Sequence, residues 1–129
     1  MSTLDTAAKD LVERRGSACV ATVRADGTPG LAPLGHLAVW ENDRLVFPDS
    51  DVPGIAPDLL LQPAISILVQ DGKQRHARRF RGTARLLVSG PTFDRLLQFY
   101  RRRGVKGAVG HMVLVDVEDV SPVNGSTSD

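Results

Sequence analysis

Leu4, Ala7, Ala8, Leu11 and Val12 recur at three- and four-residue intervals, the spacing that lines one face of a helix. Ser2 or Thr3 stands where an N-cap is needed and Asp5 lies near the positive end of the helix. Arg14 and Arg15 suit its negative end before Gly16 stops the run. The period then changes. ACVATVR, from Ala18, is dense in β-formers, Asp26-Gly27 is a hairpin signal, and LAPLGHLAVW, from Leu31 to Trp40, supplies the returning strand. A tight turn at ENDR leads into RLVF, so the first half predicts a three-stranded meander.

Pro48, Pro53 and Pro57 interrupt the second half. SDVPGIAPDLLLQP, from Ser50 to Pro63, is left as an irregular loop feeding a turn or two of helix at DLLLQ. Beyond Pro63, AISILVQ reads as an apolar strand, DGKQRHA as a turn and RRFRGTARLLV as a long strand. In that long strand Phe80, Gly82, Ala84, Leu86 and Val88 share one face, and Arg79, Arg81, Thr83 and Arg85 the other. SGPTFDRLLQFYRRRG predicts a second helix. Ser89 or Gly90 caps it, Pro91 opens it, Phe93, Leu96, Leu97 and Tyr100 form its apolar stripe, and Gly104 stops it. HMVLVDVEDV supplies a sixth strand before the polar SPVNGSTSD. These elements predict a mainly β, α+β domain: a small six-stranded antiparallel barrel with flanking helices over its ends. It spans residues 1–123, and 124–129 form a disordered polar tail.

With 129 residues and 42% hydrophobic content, the chain suits one domain around one core. Its single cysteine, Cys19, excludes a disulfide framework and a cysteine-based zinc site. Alternation turns it inward with Ala21 and Val23 as a small core residue. No apolar run approaches the ~18 residues of a membrane span, and the N-terminus lacks the basic-then-apolar pattern of a leader. A cytoplasmic protein without a membrane partner is expected. The net charge of +1 conceals a segregation: Lys73 to Lys106 holds eleven basic residues against Asp94 alone. Such a stretch attracts anions, or pairs with acidic residues within or between subunits. Nucleic acid is disfavoured, because aromatic content is 5% and no recognition motif accompanies Arg101 to Arg103. His36, His76 and His111 show no ligand spacing, so no metal site is assigned.

Taken together, ACVATVRADGTPGLAPL, DRLVFPDS, DLLLQPAISILV, FRGTARLLVSGPTFD and MVLVDVEDVSPV resemble the pyridoxamine 5'-phosphate oxidase-like, FMN-binding split-barrel family. The likeness is greatest to its short single-domain members and runs from about Ala18 to Val123. It implies a split β-barrel and a homodimer with FMN at two equivalent interface sites. It also implies oxidoreductase chemistry through the flavin, with a nicotinamide cofactor as candidate partner; deazaflavin and haem rank behind FMN. The flavin ring is placed against Pro33, Leu34, Gly35 and His36 on the second strand and Phe47, Pro48, Asp49 and Ser50 after the third. The phosphate is placed against Gly54, Ile55 and Ala56, in a segment running to Asp58. Trp40 is set at the dimer seam.

In one respect the chain departs from the family pattern. Counted back from DLLLQP, the family's phosphate-binding lysine or arginine falls on Gly54 and the hydroxyl after it on Ile55, so both are missing. Asp49, Asp51 and Asp58 add negative charge nearby. Two readings stay open. The cation is replaced, by Arg79, Arg81 and Arg85 on the fifth strand, by Arg101 to Arg103, or by backbone amides near Gly54 to Ala56. Alternatively, the chain is a non-catalytic split-barrel dimer that has lost tight FMN binding and holds another ligand or partner. No catalytic acid or base stands out, and His36 is the first candidate.

Overall fold

The computed structural model describes residues 4–123 apart from 42 and 74. Ser2 and Thr3, expected as caps, and the 124–129 tail lie outside the described residues. The first helix, α1 (Thr6–Glu13), is capped by Asp5, whose carboxylate accepts from the Ala8 N–H at 2.8 Å. It ends before Gly16: Arg14 is its C-cap, and Gly16 already belongs to β1 (Arg15–Val23). Gly16 serves close packing there, since a β-carbon would lie 2.7 Å from the Asp71 carbonyl oxygen.

LAPLGHLAVW does not run as one strand. It divides into β2 (Pro29–Pro33) and β3 (Ala38–Trp40), and the residues between them bend instead of pairing. β4 (Arg44–Pro48), β5 (Ala64–Asp71), β6 (Ala77–Leu87) and β7 (Met112–Val123) follow, the last extending through Ser121 and Pro122. The described strands pair antiparallel in the order β2-β1-β5-β6-β7-β4-β3. The expected six-stranded split barrel is therefore corrected to a single seven-stranded sheet that does not close. The cause is local. β2 and β3 are the two edges, and the segment joining them is held by side chains, so no ladder links edge to edge.

Apolar side chains fill both faces of part of this sheet. On one face Val20, Ile67, Phe80 and Val115 pack with Ala8 and Val12 of α1 and with Ile55 and Leu59 of α2 (Ile55–Leu61). On the other, Phe93, Leu96 and Tyr100 of α3 (Pro91–Arg102) cover Ala38, Val46, Met112 and Leu114. β4 and β7 are thus buried on both sides, which is why RLVF and MVLV are unbroken apolar runs. In β1 the inward residues are Ala18 and Val20. Val20 pairs with Ile67, and Cys19, Ala21 and Val23 face the opposite way from the expectation. α3 starts after Gly90 with Pro91 in its first turn, and Gly104 follows its end at φ +89°.

β7 carries a bulge. Arg81 pairs with Asp119 but Gly82 with Val117, so Glu118 is the extra residue, and its carboxylate accepts from the Thr83 hydroxyl at 2.6 Å. The bulged backbone crowds Gly82: a β-carbon there would lie 2.1 Å from the Asp116 carbonyl oxygen. Only glycine fits that place in β6.

Candidate functional site

After β4 the chain makes a single 3-10 turn, Asp49–Asp51, whose two carboxylates reach in different directions. Asp51 Oδ2 accepts from the N–H groups of Gly35 at 3.1 Å and His36 at 2.8 Å, while Oδ1 lies 2.6 Å from His36 Nδ1. The Asp51 side chain is 6% exposed and the His36 ring 45%. A carboxylate only accepts, so the His36 nitrogen facing it carries the proton and Nε2 stands outside this bond. The carbonyls of the same bend are held as well. Arg15 donates to Gly35 at 3.2 Å, and the Tyr100 hydroxyl lies 2.8 Å from the His36 oxygen and 3.0 Å from that of Val46. Burial, reinforced by the Asp51 charge, pushes the Tyr100 hydroxyl far above its ordinary pKa, so it remains a donor. Desolvation lowers the pKa of Arg15, opposed by the charge of Glu13.

Asp49 makes the matching grip on the other side. Its carboxylate accepts from the Gly110 N–H at 3.1 Å and pairs with His111 Nδ1 at 2.9 Å, and its own N–H donates to the His111 carbonyl at 3.0 Å. The turn therefore ties the bend between β2 and β3 to the start of β7. Of the residues expected along the flavin ring, Gly35, His36, Asp49 and Ser50 lie on these tied segments and Pro33 is exposed at the end of β2. Leu34, Phe47 and Pro48 are buried, so their side chains serve packing.

Beside this turn lies a cavity of about 330 Å³, bordered by Thr22 and Arg24 of the β1–β2 hairpin and by Asp51, Gly54, Ile55 and Asp58. Gly54 sits at φ +88°, a left-handed backbone in which a lysine or arginine would be strained. The Ile55 side chain, 2% exposed, points into the core with buried Ala56 beside it. Its N–H already donates to the Val52 carbonyl, and Pro57 has none to offer, so the expected amide cradle is largely spent.

The fifth-strand arginines stand elsewhere within the chain. Arg81 pairs with Asp119 at 3.0 Å and Arg85 with Asp116 at 2.9 Å, and Arg79 reaches the Ser121 hydroxyl at 3.5 Å. They form a charge ladder across β6 and β7, and Arg81 borders a separate cleft of about 400 Å³ with Ser66 and Glu118. The cation at the Gly54 cavity is Arg24, which sequence reasoning missed. Its approach to α2 depends on a long-range contact, the Ala25 N–H donating to Asp58 at 3.2 Å, for which the sequence carries no signal. Trp40 packs edge-on against Phe99 of α3, ring centres 5.6 Å apart, with the Arg95 guanidinium 5.7 Å from its own ring. Among the described residues no helix is long and apolar enough to cross a membrane.

A sequence model of the pyridoxamine 5'-phosphate oxidase family matches residues 4–122. HupZ of Group A Streptococcus, 22% identical, aligns over 91% of this chain and 91% of its own with a TM-score of 0.78. An FMN-binding protein from Syntrophomonas wolfei is 15% identical, with a TM-score of 0.70 over 89% of this chain and 87% of that one. A pyridoxamine 5'-phosphate oxidase-related, FMN-binding protein from Nostoc punctiforme is also 15% identical, with a TM-score of 0.69 over 96% and 85%. At these identities the structural likeness is one of fold. No curated protein matches the chain.

Proposed function

Because the chain belongs to the pyridoxamine 5'-phosphate oxidase family, we propose that it is an FMN-binding oxidoreductase, a homodimer with the flavin at the interface between protomers. One geometric observation carries the reading. The Asp49–Asp51 turn fixes Gly35–His36, and with them its own Asp49–Ser50 backbone, the segments that the family resemblance assigns to the flavin ring. Their amides and carbonyls are oriented before any ligand arrives, which lowers the ordering cost of binding. The cavity at Gly54 has room for a phosphate and holds a cation, so the residues present fit FMN.

A bound flavin supplies hydride or electron transfer, with a nicotinamide cofactor as donor. The chain's own part is positioning and proton exchange. Asp51 fixes the His36 Nδ1–H, which leaves Nε2 to give or take a proton beside the flavin-ring segments. Leu31 and Leu60, each 72% exposed, are apolar surface that a second copy would cover. A cytoplasmic location accompanies this reading.

The absent side chain at Gly54 and the buried one at Ile55 favour a second reading, a non-catalytic dimer that holds another ligand. An absorption spectrum of the purified protein, an FMN fluorescence titration and a trial of flavin reduction by NADH and NADPH separate the two. Saturable FMN binding with nicotinamide-driven bleaching supports the oxidoreductase. Failure to bind FMN at tens of micromolar leaves the second reading standing.

A further inference from the structure

We infer that the flavin phosphate anchor of this chain has moved from the loop before α2 to the end of β1, where Arg24 supplies the cation and Thr22 the hydroxyl. This rests on the flavin reading above. Both residues border the Gly54 cavity, which lacks the cation and hydroxyl expected at Gly54 and Ile55. The pair of groups a phosphate monoester needs is therefore present, contributed by a different element.

Arg24 is the basic residue bordering that cavity, and among the described residues its guanidinium makes no close ion pair or hydrogen bond. The Thr28 hydrogen bonds lower the pKa of the exposed Asp26, and the Arg24 charge adds to that effect. The other arginines near the sheet are engaged: Arg15 with Val12 and Gly35, Arg44 and Arg85 with Asp116, Arg78 with Asp5, and Arg81 with Asp119. Gly30 makes room for the Arg24 side chain. That side chain lies over Gly30, where a β-carbon would come within 3.3 Å of Nε, and the Thr22 hydroxyl is 3.0 Å from the same point. Gly30 thus leaves the room in which both side chains lie.

The backbone around Arg24 is tied. Its N–H donates to the Thr28 carbonyl and its carbonyl accepts from Gly27, both at 2.8 Å, while Asp58 accepts from Ala25 and binds the hairpin to α2. Asp51 also borders the cavity, but its carboxylate is spent on Gly35 and His36. Asp58 is a second negative charge there, and both carboxylates oppose the attraction of Arg24 for a phosphate dianion.

The test is a fluorescence titration of the full chain with FMN and with riboflavin, for the wild type and for Arg24→Ala, Arg24→Lys and Asp58→Asn. The wild type should prefer FMN. Arg24→Ala should weaken FMN by roughly tenfold to hundredfold while riboflavin stays within about twofold, the range that loss of one charge-assisted hydrogen bond sets. Arg24→Lys should restore part of the preference, since it returns the charge without the two-pronged donor. Asp58→Asn keeps an acceptor for Ala25 and should tighten FMN alone. Equal affinity of the wild type for FMN and riboflavin, or an FMN preference that survives Arg24→Ala, would overturn the anchor and leave flavin binding intact. Binding of neither flavin would overturn both this inference and the function on which it rests.

Discussion

Asp51 is one side chain, yet it takes three hydrogen bonds that neither β2 nor β3 can supply to the bend between them. Asp51→Ala should destabilise the fold by about 2 kcal/mol, with a lower urea midpoint, because bonds to an ionised group exceed neutral ones. Tyr100 acts on the same bend from the α3 side, and its raised pKa makes a second prediction. The folded state keeps a phenolic proton that the unfolded chain releases above pH ~10, so this contribution is full below that pH and falls above it. Stability measured by urea unfolding should decline there by up to about 1.4 kcal/mol per pH unit, and Tyr100→Phe should lack that part of the decline. The sequence showed Tyr100 as part of an apolar stripe, which it is. It did not show the hydroxyl's partners, because His36 and Val46 meet it only through tertiary packing.

Among the elements, α3 and the Asp26-Gly27 turn were legible from period, caps and turn residues, and α1 from its period but not its ends, since Asp5 caps it in place of Ser2 or Thr3 and it stops before Gly16. The division of LAPLGHLAVW into β2 and β3 was not, since its apolar alternation continues across a bend imposed by Asp51, 15 residues from His36. Nor was the inward face of β1, where Ala18-Cys19-Val20-Ala21 is small and apolar on both faces and only pairing with β5 decides. In the candidate site, the segments around Gly35 and Asp49 were legible through the family resemblance, whereas Arg24 needed the contact between a hairpin and α2. Two glycines permit a comparison at this level. Gly54→Ala should cost about 1–2 kcal/mol, the strain of a left-handed backbone at a spot with open space around it. Gly82→Ala should cost about 3 kcal/mol, since two strands must part to admit a β-carbon. Chemical denaturation of the two variants should rank them in that order.

In the molecule as a whole, part of the basic third of the sequence proves to be an internal complement to acidic residues. Arg78, Arg81, Arg85 and Arg95 meet Asp5, Asp119, Asp116 and Glu41, which leaves less free positive charge than the sequence advertises. Such exposed pairs add about 0–1 kcal/mol each. If the exposed leucines Leu31 and Leu60 are covered by a second copy, the protein should sediment at twice the monomer mass at micromolar concentration. A monomer there would remove the shared flavin site. The bulge at Glu118 reaches across the molecule in another way. Val113, Val115 and Val117 face the main core on odd positions, and after Glu118 the packed residue is Val120. Replacing exposed Glu118 with alanine should shift stability by about 1 kcal/mol or less, the worth of its bond to Thr83. Deleting it should leave the fold standing, because Val117, Asp119 and Val120 already face Gly82, Arg81 and Phe80 in the register of a regular ladder, with Val120 still inward. The extra residue acts as a phase shifter: it lets Val117 and Val120, three positions apart, share one face, so the inward parity of the strand changes while its partners on β6 stay in step.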